Sequence, residues 1–220
     1  MTVMETPIDL FPRHFAVLTY ALTGAQFQMK ESIEVEVKIP IENRKSVEAA
    51  LHHIGAQKTN SETQVDAYFD HPARAFQETD EALRLRSRHP DVEGAKKDNA
   101  IPTPYELTYK GPKLESRSKS RVELSVHISN IDSARLILES LGFKHVATLS
   151  KRRVFYTVDS ITVSVDDVED VGLFLELESI VTSRGDMDPA LDRIFSLIER
   201  LELDSSNSIR TSYLELFLQG

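Results

Sequence analysis

The stretch Ile33 to Ile39, Ile-Glu-Val-Glu-Val-Lys-Ile, constrains the fold more than any other, because apolar and charged residues alternate in it without a slip. Successive side chains of a strand point to opposite faces, so Ile33, Val35, Val37 and Ile39 share one face and Glu34, Glu36 and Lys38 the other. At about 3.3 Å per residue, those three ionisable groups stand in a row over roughly 13 Å. Two carboxylates on one face repel each other unless water, salt or a cation lies close. Antiparallel sheets often wet one face, so the remaining strands must decide whether this one faces solvent.

They repeat the pattern. Gln64 to Asp70 reads as a strand; Glu81 to Arg88 sets Leu83 and Leu85 against Arg84, Arg86 and Arg88. Tyr105, Leu107 and Tyr109 alternate with Glu106, Thr108 and Lys110 until Gly111 and Pro112. Arg121 and Glu123 oppose Val122, Leu124 and Val126. Lys151-Arg-Arg153 leads into Val154 to Val158, Ile161 to Asp166 places Asp166 on a polar face, and Gly172 to Glu178 places Glu176 opposite Leu175 and Leu177, with Glu178 beside it. Residues 89–104, with three prolines and a glycine, read as a loop, and Lys113 to Ser120 as a polar, basic connection.

Helices separate these strands. Asn43 caps one running to Ile54, with Val47, Ala50, Leu51 and Ile54 on its apolar stripe and Gly55 at its end. Asn130 caps a second, Ile131 to Leu141, closed by Gly142. The 87 residues from Gly55 to Gly142, applied throughout, lay Glu36 on Glu123, Leu51 on Leu138 and Tyr68 on Phe155. Two strand-helix-strand halves related by an internal pseudo-twofold follow. A third helix starts at Pro189 behind Asp188 and turns Leu191, Ile194, Phe195, Ile198 and Leu201 inward. The tail Ser212 to Leu218 is a short apolar segment, helix or strand.

Composition excludes several classes. The 220 residues carry no cysteine, which removes disulfides, thiol nucleophiles and thiolate metal sites and favours the cytoplasm. A net charge of -9 argues against a general nucleic-acid binder. No apolar run approaches the roughly 20 residues of a membrane span. Phe15 to Leu22 imitates a signal-peptide core, but Glu5 and Asp9 spoil its positive start. Residues 1–30 read as an extension, with Met29 a candidate true start, and residues 31–217 as one domain.

The polar faces together supply Glu34, Glu36, Lys38, Arg84, Arg86, Lys110, Arg121, Glu123, Asp166, Glu176 and Glu178, almost without the serine, threonine and amides of an ordinary wet surface. At least six strands with one apolar face need covering, and the helices can cover it from outside. The fold class is then α+β, a closed antiparallel β-barrel with helices packed outside and the charges converging on an internal tunnel. Unpaired ions in such an interior cost several kcal/mol each, so the site calls for a charged guest. Carboxylates hold hard divalent cations through oxygen while lysine and arginine hold phosphate oxygens; a triphosphate with magnesium satisfies both.

Glu34-x-Glu36-x-Lys38 resembles the defining motif of the CYTH domain, the triphosphate tunnel metalloenzymes that include class IV adenylate cyclases and thiamine triphosphatases. The similarity continues through Asp66-Ala-Tyr68, Ala82-Leu-Arg84-Leu-Arg86, Leu107-Thr-Tyr-Lys110-Gly-Pro, Arg121-x-Glu123, Lys151-Arg-Arg153, Val165-Asp166-x-Val168 and Phe174-Leu-Glu176-Leu-Glu178, covering roughly residues 32 to 216. Ser212-Tyr213-Leu214-Glu215-Leu216 looks most like the cyclase branch. The resemblance implies that Glu34, Glu36, Asp166, Glu176 and Glu178 bind Mg2+ or Mn2+ or stand beside its ligands. It implies that Lys38, Arg84, Arg86, Lys110, Arg121 and Arg153 grip phosphates, and that Glu34, Glu36, Lys38 and Glu176 carry the chemistry. Strand parity supports all of these except Arg153, since Arg152 takes the opposite face and only the family pattern selects between them. Glu123 would orient Arg121 or Lys38. The implied partner is a small-molecule triphosphate, namely ATP, inorganic triphosphate or thiamine triphosphate, with cyclase and triphosphatase both open and a non-catalytic sensor as a third reading. Neither nucleic acid nor membrane is implied, and a homodimer is left open.

Other motifs lead nowhere. His52 and His53 are adjacent on a helix and point apart, Gly111-Pro-Lys113 lacks the P-loop pattern, and Asp166, Asp167, Glu169 and Asp170 lack EF-hand spacing.

Overall fold

A computed structural model of the chain describes residues 33–91, 105–113 and 121–220. Expectations about residues 1–30 and Met29, and most of those about the 89–104 loop and the 113–120 connection, lie outside the described residues. Eight strands close into one antiparallel barrel: β1 (Ile33–Pro40), β2 (Gln57–Asp70), β3 (Ala82–Pro90), β4 (Tyr105–Lys113), β5 (Arg121–Ile128), β6 (Lys144–Val158), β7 (Ile161–Val168) and β8 (Gly172–Val181). Their order around the ring is β1-β5-β4-β3-β2-β6-β7-β8. Exchanging the halves, β1 to β4 for β5 to β8, returns the same ring, as an internal twofold requires. The helix α1 (Arg44–His53), moved on by the 87 residues between Gly55 and Gly142, falls on α3 (Ile131–Ser140) end to end. The caps match too: Asn43 accepts from Lys45 and Ser46 N–H groups, Asn130 from that of Ser133.

The apolar strand faces point outward and are covered there. On one side Val35, Val37 and Ile39 of β1 and Leu175 and Leu177 of β8 pack in one core with α1 and with α4 (Met187–Arg200). Leu191, Ile194, Leu197 and Ile198 of α4 are buried in it, each contributing about 1.5–3 kcal/mol of transfer free energy. On the other, Leu138 of α3 meets Phe69, Leu83, Leu85 and Phe76 of the one-turn helix α2 (Phe76–Thr79). A third cluster closes one end of the barrel, where Ala147, Leu149 and Phe174 meet Tyr213 of the last helix, α5 (Tyr213–Gln219). No helix among the described residues is long and apolar enough to cross a membrane.

Several boundaries differ from the sequence reading. Helix α4 begins at Met187, after a 3-10 turn over Arg184–Asp186, rather than at Pro189. Pro189 sits inside the first helical turn, where its missing N–H has no intrahelical acceptor to lose. Strand β2 starts at Gln57 rather than Gln64, and β6 at Lys144 rather than Lys151. The β2 extension is polar and exposed from Gln57 to Asn60 and shows no alternation, whereas that of β6 buries Ala147 and Leu149 between exposed Val146 and Thr148; the two strands pair along their length, from Gln57 beside Thr157 to Asp70 beside Lys144. The tail is a helix, held by a reciprocal Ser212–Glu215 capping box.

Candidate functional site

Register aligns the polar faces inside the barrel. Glu36 stands opposite Glu178 and Lys38 opposite Glu176 across β1–β8; Asp66 opposite Arg86 across β2–β3; Lys110 opposite Glu123 across β4–β5; Arg153 opposite Asp166 across β6–β7. A cavity of about 410 Å3 runs through this interior. Its walls include Glu34, Glu36, Lys38, Arg84, Arg86, Lys110, Arg121, Glu123, Arg153, Glu176 and Glu178. One residue of the expected set, Asp166, lies outside those walls and is fully buried.

The barrel contains one ion pair built twice, with opposite polarity. Asp66 accepts from Nε and Nη2 of Arg86 at 2.6 and 2.7 Å. The twofold carries Asp66 onto Arg153, whose Nε donates to Asp166 at 2.6 Å and whose Nη2 reaches both Asp166 and Glu176. Fork-to-fork pairs of this kind give buried guanidiniums a fixed direction. Asp66 is held well below the ordinary carboxylate range, since Arg86 and Arg84 outweigh the effect of its burial. Asp166 is lowered too, Arg153 and Lys151 outweighing burial. Lys38 Nζ lies 3.2 Å from Glu176 Oε1, and Lys151 Nζ 3.6 Å from Asp166 Oδ2. Burial, with Arg153 and Arg86 nearby, pushes the Lys151 ammonium down to about 7. Arg121 donates to the Asp80 carbonyl at 3.3 Å, and Arg84 lies 3.5 Å from Glu106.

Acids gather where β1 begins. Glu34 is pushed well above the usual range by burial and by Glu123, Glu178 and Glu36, with Lys110 opposing. Burial and Glu36 raise Glu178, whereas Lys110, overcoming burial, holds Glu123 down to about 2. Carboxylates crowded together in this way repel one another and supply the oxygen donors a hard cation takes, so the chemistry of this donor set fits Mg2+ or Mn2+. As they stand, no three acidic or histidine side chains among the described residues are arranged to hold an ion together. The cationic side fits phosphate for a separate reason: Nε of Arg84 is buried with no hydrogen-bond partner among the described residues. A buried guanidinium N–H left unpaired is costly, and an anion oxygen would satisfy it.

Two expectations are thereby refined. The ambiguity between Arg152 and Arg153 is resolved: Arg153 is buried inside, while Arg152 is outside on Asp91 at 2.8 Å. Asp166 does not fit the role of metal ligand given to it, because Arg153, Lys151 and the Tyr213 hydroxyl already engage its carboxylate behind the cavity wall. Sequence reasoning assigned no role to Asp66, Lys151, Glu106 or Tyr213. Lys151 was within reach, being two residues from Arg153 on the same face; Tyr213 was not, since it arrives from a helix.

A CYTH domain family model matches residues 32–213. A Methanocaldococcus jannaschii protein named "Putative adenylate cyclase MJ0240" is 39% identical over 184 residues, 84% of this chain and 98% of that one. The adenylate cyclase CyaB of Aeromonas hydrophila is 27% identical, over 85% of this chain and 90% of its own. Among solved structures, the PH1819 protein of Pyrococcus horikoshii superposes with a TM-score of 0.75 at 32% identity, covering 84% of this chain and 98% of its own.

Proposed function

The chain belongs to the CYTH domain family, and on that premise we propose that it is a metal-dependent enzyme of the class IV adenylate cyclase type, converting ATP to cyclic AMP and pyrophosphate. The observation that carries this is the convergence of buried cations from several strands, one of them Arg84 with a donor unsatisfied among the described residues, on a single cavity with an acidic wall. The names borne by the M. jannaschii and A. hydrophila relatives support the cyclase assignment.

Lys38, Arg84, Arg86, Lys110, Arg121 and Arg153 would hold the polyphosphate, with Lys151 beside them. Asp66 and Asp166 would fix the directions of Arg86 and Arg153, so that little reorganisation is needed as charge shifts toward the leaving group. Glu34, Glu36, Glu176 and Glu178 would hold Mg2+ or Mn2+, which supplies neutralisation of charge on the phosphates. The ribose 3′-oxygen bonds to the α-phosphorus as the bond from that phosphorus to its bridging oxygen breaks; pyrophosphate leaves, and the hydroxyl proton passes to the acidic wall.

Incubation of the purified protein with ATP, inorganic triphosphate or thiamine triphosphate, under either metal and with a chelator, tests the reading. Cyclic AMP and pyrophosphate in equal amounts, abolished by the chelator, are expected. Phosphate release without cyclic AMP would assign the same tunnel to triphosphate hydrolysis, and no product from any substrate would leave a binding protein.

A further inference from the structure

The C-terminal segment reaches the middle of the charged cluster. The Ile209 N–H donates to the Lys38 carbonyl at 2.8 Å, and Lys38 Nζ donates to the Thr211 carbonyl at 3.3 Å. The Ser212–Glu215 capping box then starts α5, and Tyr213 in its first turn enters the barrel end, 7% exposed. Its ring centroid is 3.4 Å from Lys38 Nζ and 4.9 Å from Lys151 Nζ. Its hydroxyl donates to Asp166 Oδ2 at 2.8 Å, the carboxylate that orients Arg153. Two cations of the phosphate wall thus meet one aromatic residue from outside the barrel strands, and a third, Arg153, is linked to it through Asp166.

We propose that Tyr213 is a positioning residue of the phosphate site: its ring holds the Lys38 and Lys151 ammonium groups apart and in place, and its hydroxyl steadies the Asp166–Arg153 pair. Lysine is a point charge on a flexible four-carbon stem, so its position must be set by what surrounds the nitrogen. Two ammonium groups in one buried site repel each other, and each is already drawn to a carboxylate, Lys38 to Glu176 at 3.2 Å and Lys151 to Asp166 at 3.6 Å. The negative face of an aromatic ring attracts both from a further direction without adding another carboxylate charge that a phosphate would have to displace. Tyr213 also packs with Phe174, ring centroids 5.0 Å apart, in the apolar cluster closing the barrel end. A plug residue alone would need neither the hydroxyl contact nor the ring's approach to Lys38.

This inference rests on the phosphate-binding reading, and the test separates the two. Binding of inorganic triphosphate to the full chain is measured by calorimetry, with thermal unfolding alongside. Replacing Tyr213 by phenylalanine and then by progressively fluorinated phenylalanines keeps the shape while draining the negative ring face. Affinity should stay within about threefold for phenylalanine and fall stepwise to about tenfold below wild type with fluorination. In turnover, Tyr213→Phe should lower kcat with little change in KM, because Asp166 loses a hydrogen bond while the ring remains. Leu149→Ala, in the same apolar cluster, should lower the unfolding temperature and leave affinity alone. A flat fluorination series, or Leu149→Ala weakening binding as much as the most fluorinated variant, would reduce Tyr213 to a plug. Wild-type protein that fails to bind triphosphate would instead overturn the phosphate-binding reading, and this inference with it.

Discussion

At the residue scale the tunnel is a set of matched ions whose balance has been left incomplete on both sides. The Nε of Arg84 has no hydrogen-bond partner among the described residues on the cationic side, and on the other burial and neighbouring acids push Glu34 well above the usual carboxylate range. Arg84→Ala should raise the Kd for inorganic triphosphate by roughly 10- to 150-fold, the equivalent of about 1.5–3 kcal/mol for hydrogen bonds to charged groups, and leave adenosine binding unchanged. Calorimetry with both ligands checks this, and equal losses for both would contradict the assignment. Glu176→Gln, close to isosteric, should cost about 100-fold in metal-dependent kcat with the fold intact by circular dichroism. Lys151, near 7 in the free protein, should lose its charge as pH rises from 6 to 8. Triphosphate's own ionisation changes over the same range, so the informative quantity is the difference between wild type and Lys151→Arg, whose guanidinium stays charged. Wild-type affinity should decline relative to the variant as pH rises; parallel profiles would refute the role.

At the scale of elements, strands and helices differ in how openly they declare themselves. Helices α1 and α3 were legible at both ends because asparagine caps and glycines at positive φ are local devices, Gly55 at 81° and Gly142 at 90°. Strands with one buried face were legible through alternation. The outer end of β2 was not, because Gln57 to Asn60 are exposed on both faces and obey no period; that of β6 offers only Ala147 and Leu149 as its buried face, and its pairing with β2 makes it a strand. The start of α4 was misplaced by reading Pro189 as a first helical residue when it sits deeper in the first turn. That helix is nonetheless the principal cover of β1 and β8. Ile194→Ala, at a fully buried position, should destabilise the protein by about 2–5 kcal/mol in denaturant titration, while triphosphate affinity per folded molecule stays the same.

At the scale of the whole molecule, the charges inside the barrel link its stability to pH. Asp66 and Asp166 are more acidic in the fold than in the unfolded chain, so the unfolded chain takes up protons first as the medium is acidified. Their contribution is therefore present above the ordinary carboxylate range and is lost as pH falls below about 4. Glu34, raised in the fold, has the opposite sign and favours the folded state at low pH, so it offsets part of that loss. Unfolding midpoints measured from pH 7 to pH 3 should drop, and drop less in Asp66→Asn, which starts from lower stability but has one fewer group to titrate.

The sequence by itself determined the strand faces, the two helix-bearing repeats and the sign of nearly every tunnel residue, because periods of 2.0 and 3.6 residues and local caps are written along the chain. Only the tertiary structure decided which charges satisfy one another. Asp166 turns out to serve Arg153, Lys151 is drawn in beside it, and Tyr213 arrives from 47 residues beyond Asp166 to meet both. Such pairings depend on strand register and on where a distant helix docks. Both are fixed by the burial of the whole outer surface of the barrel, which no local stretch of residues records.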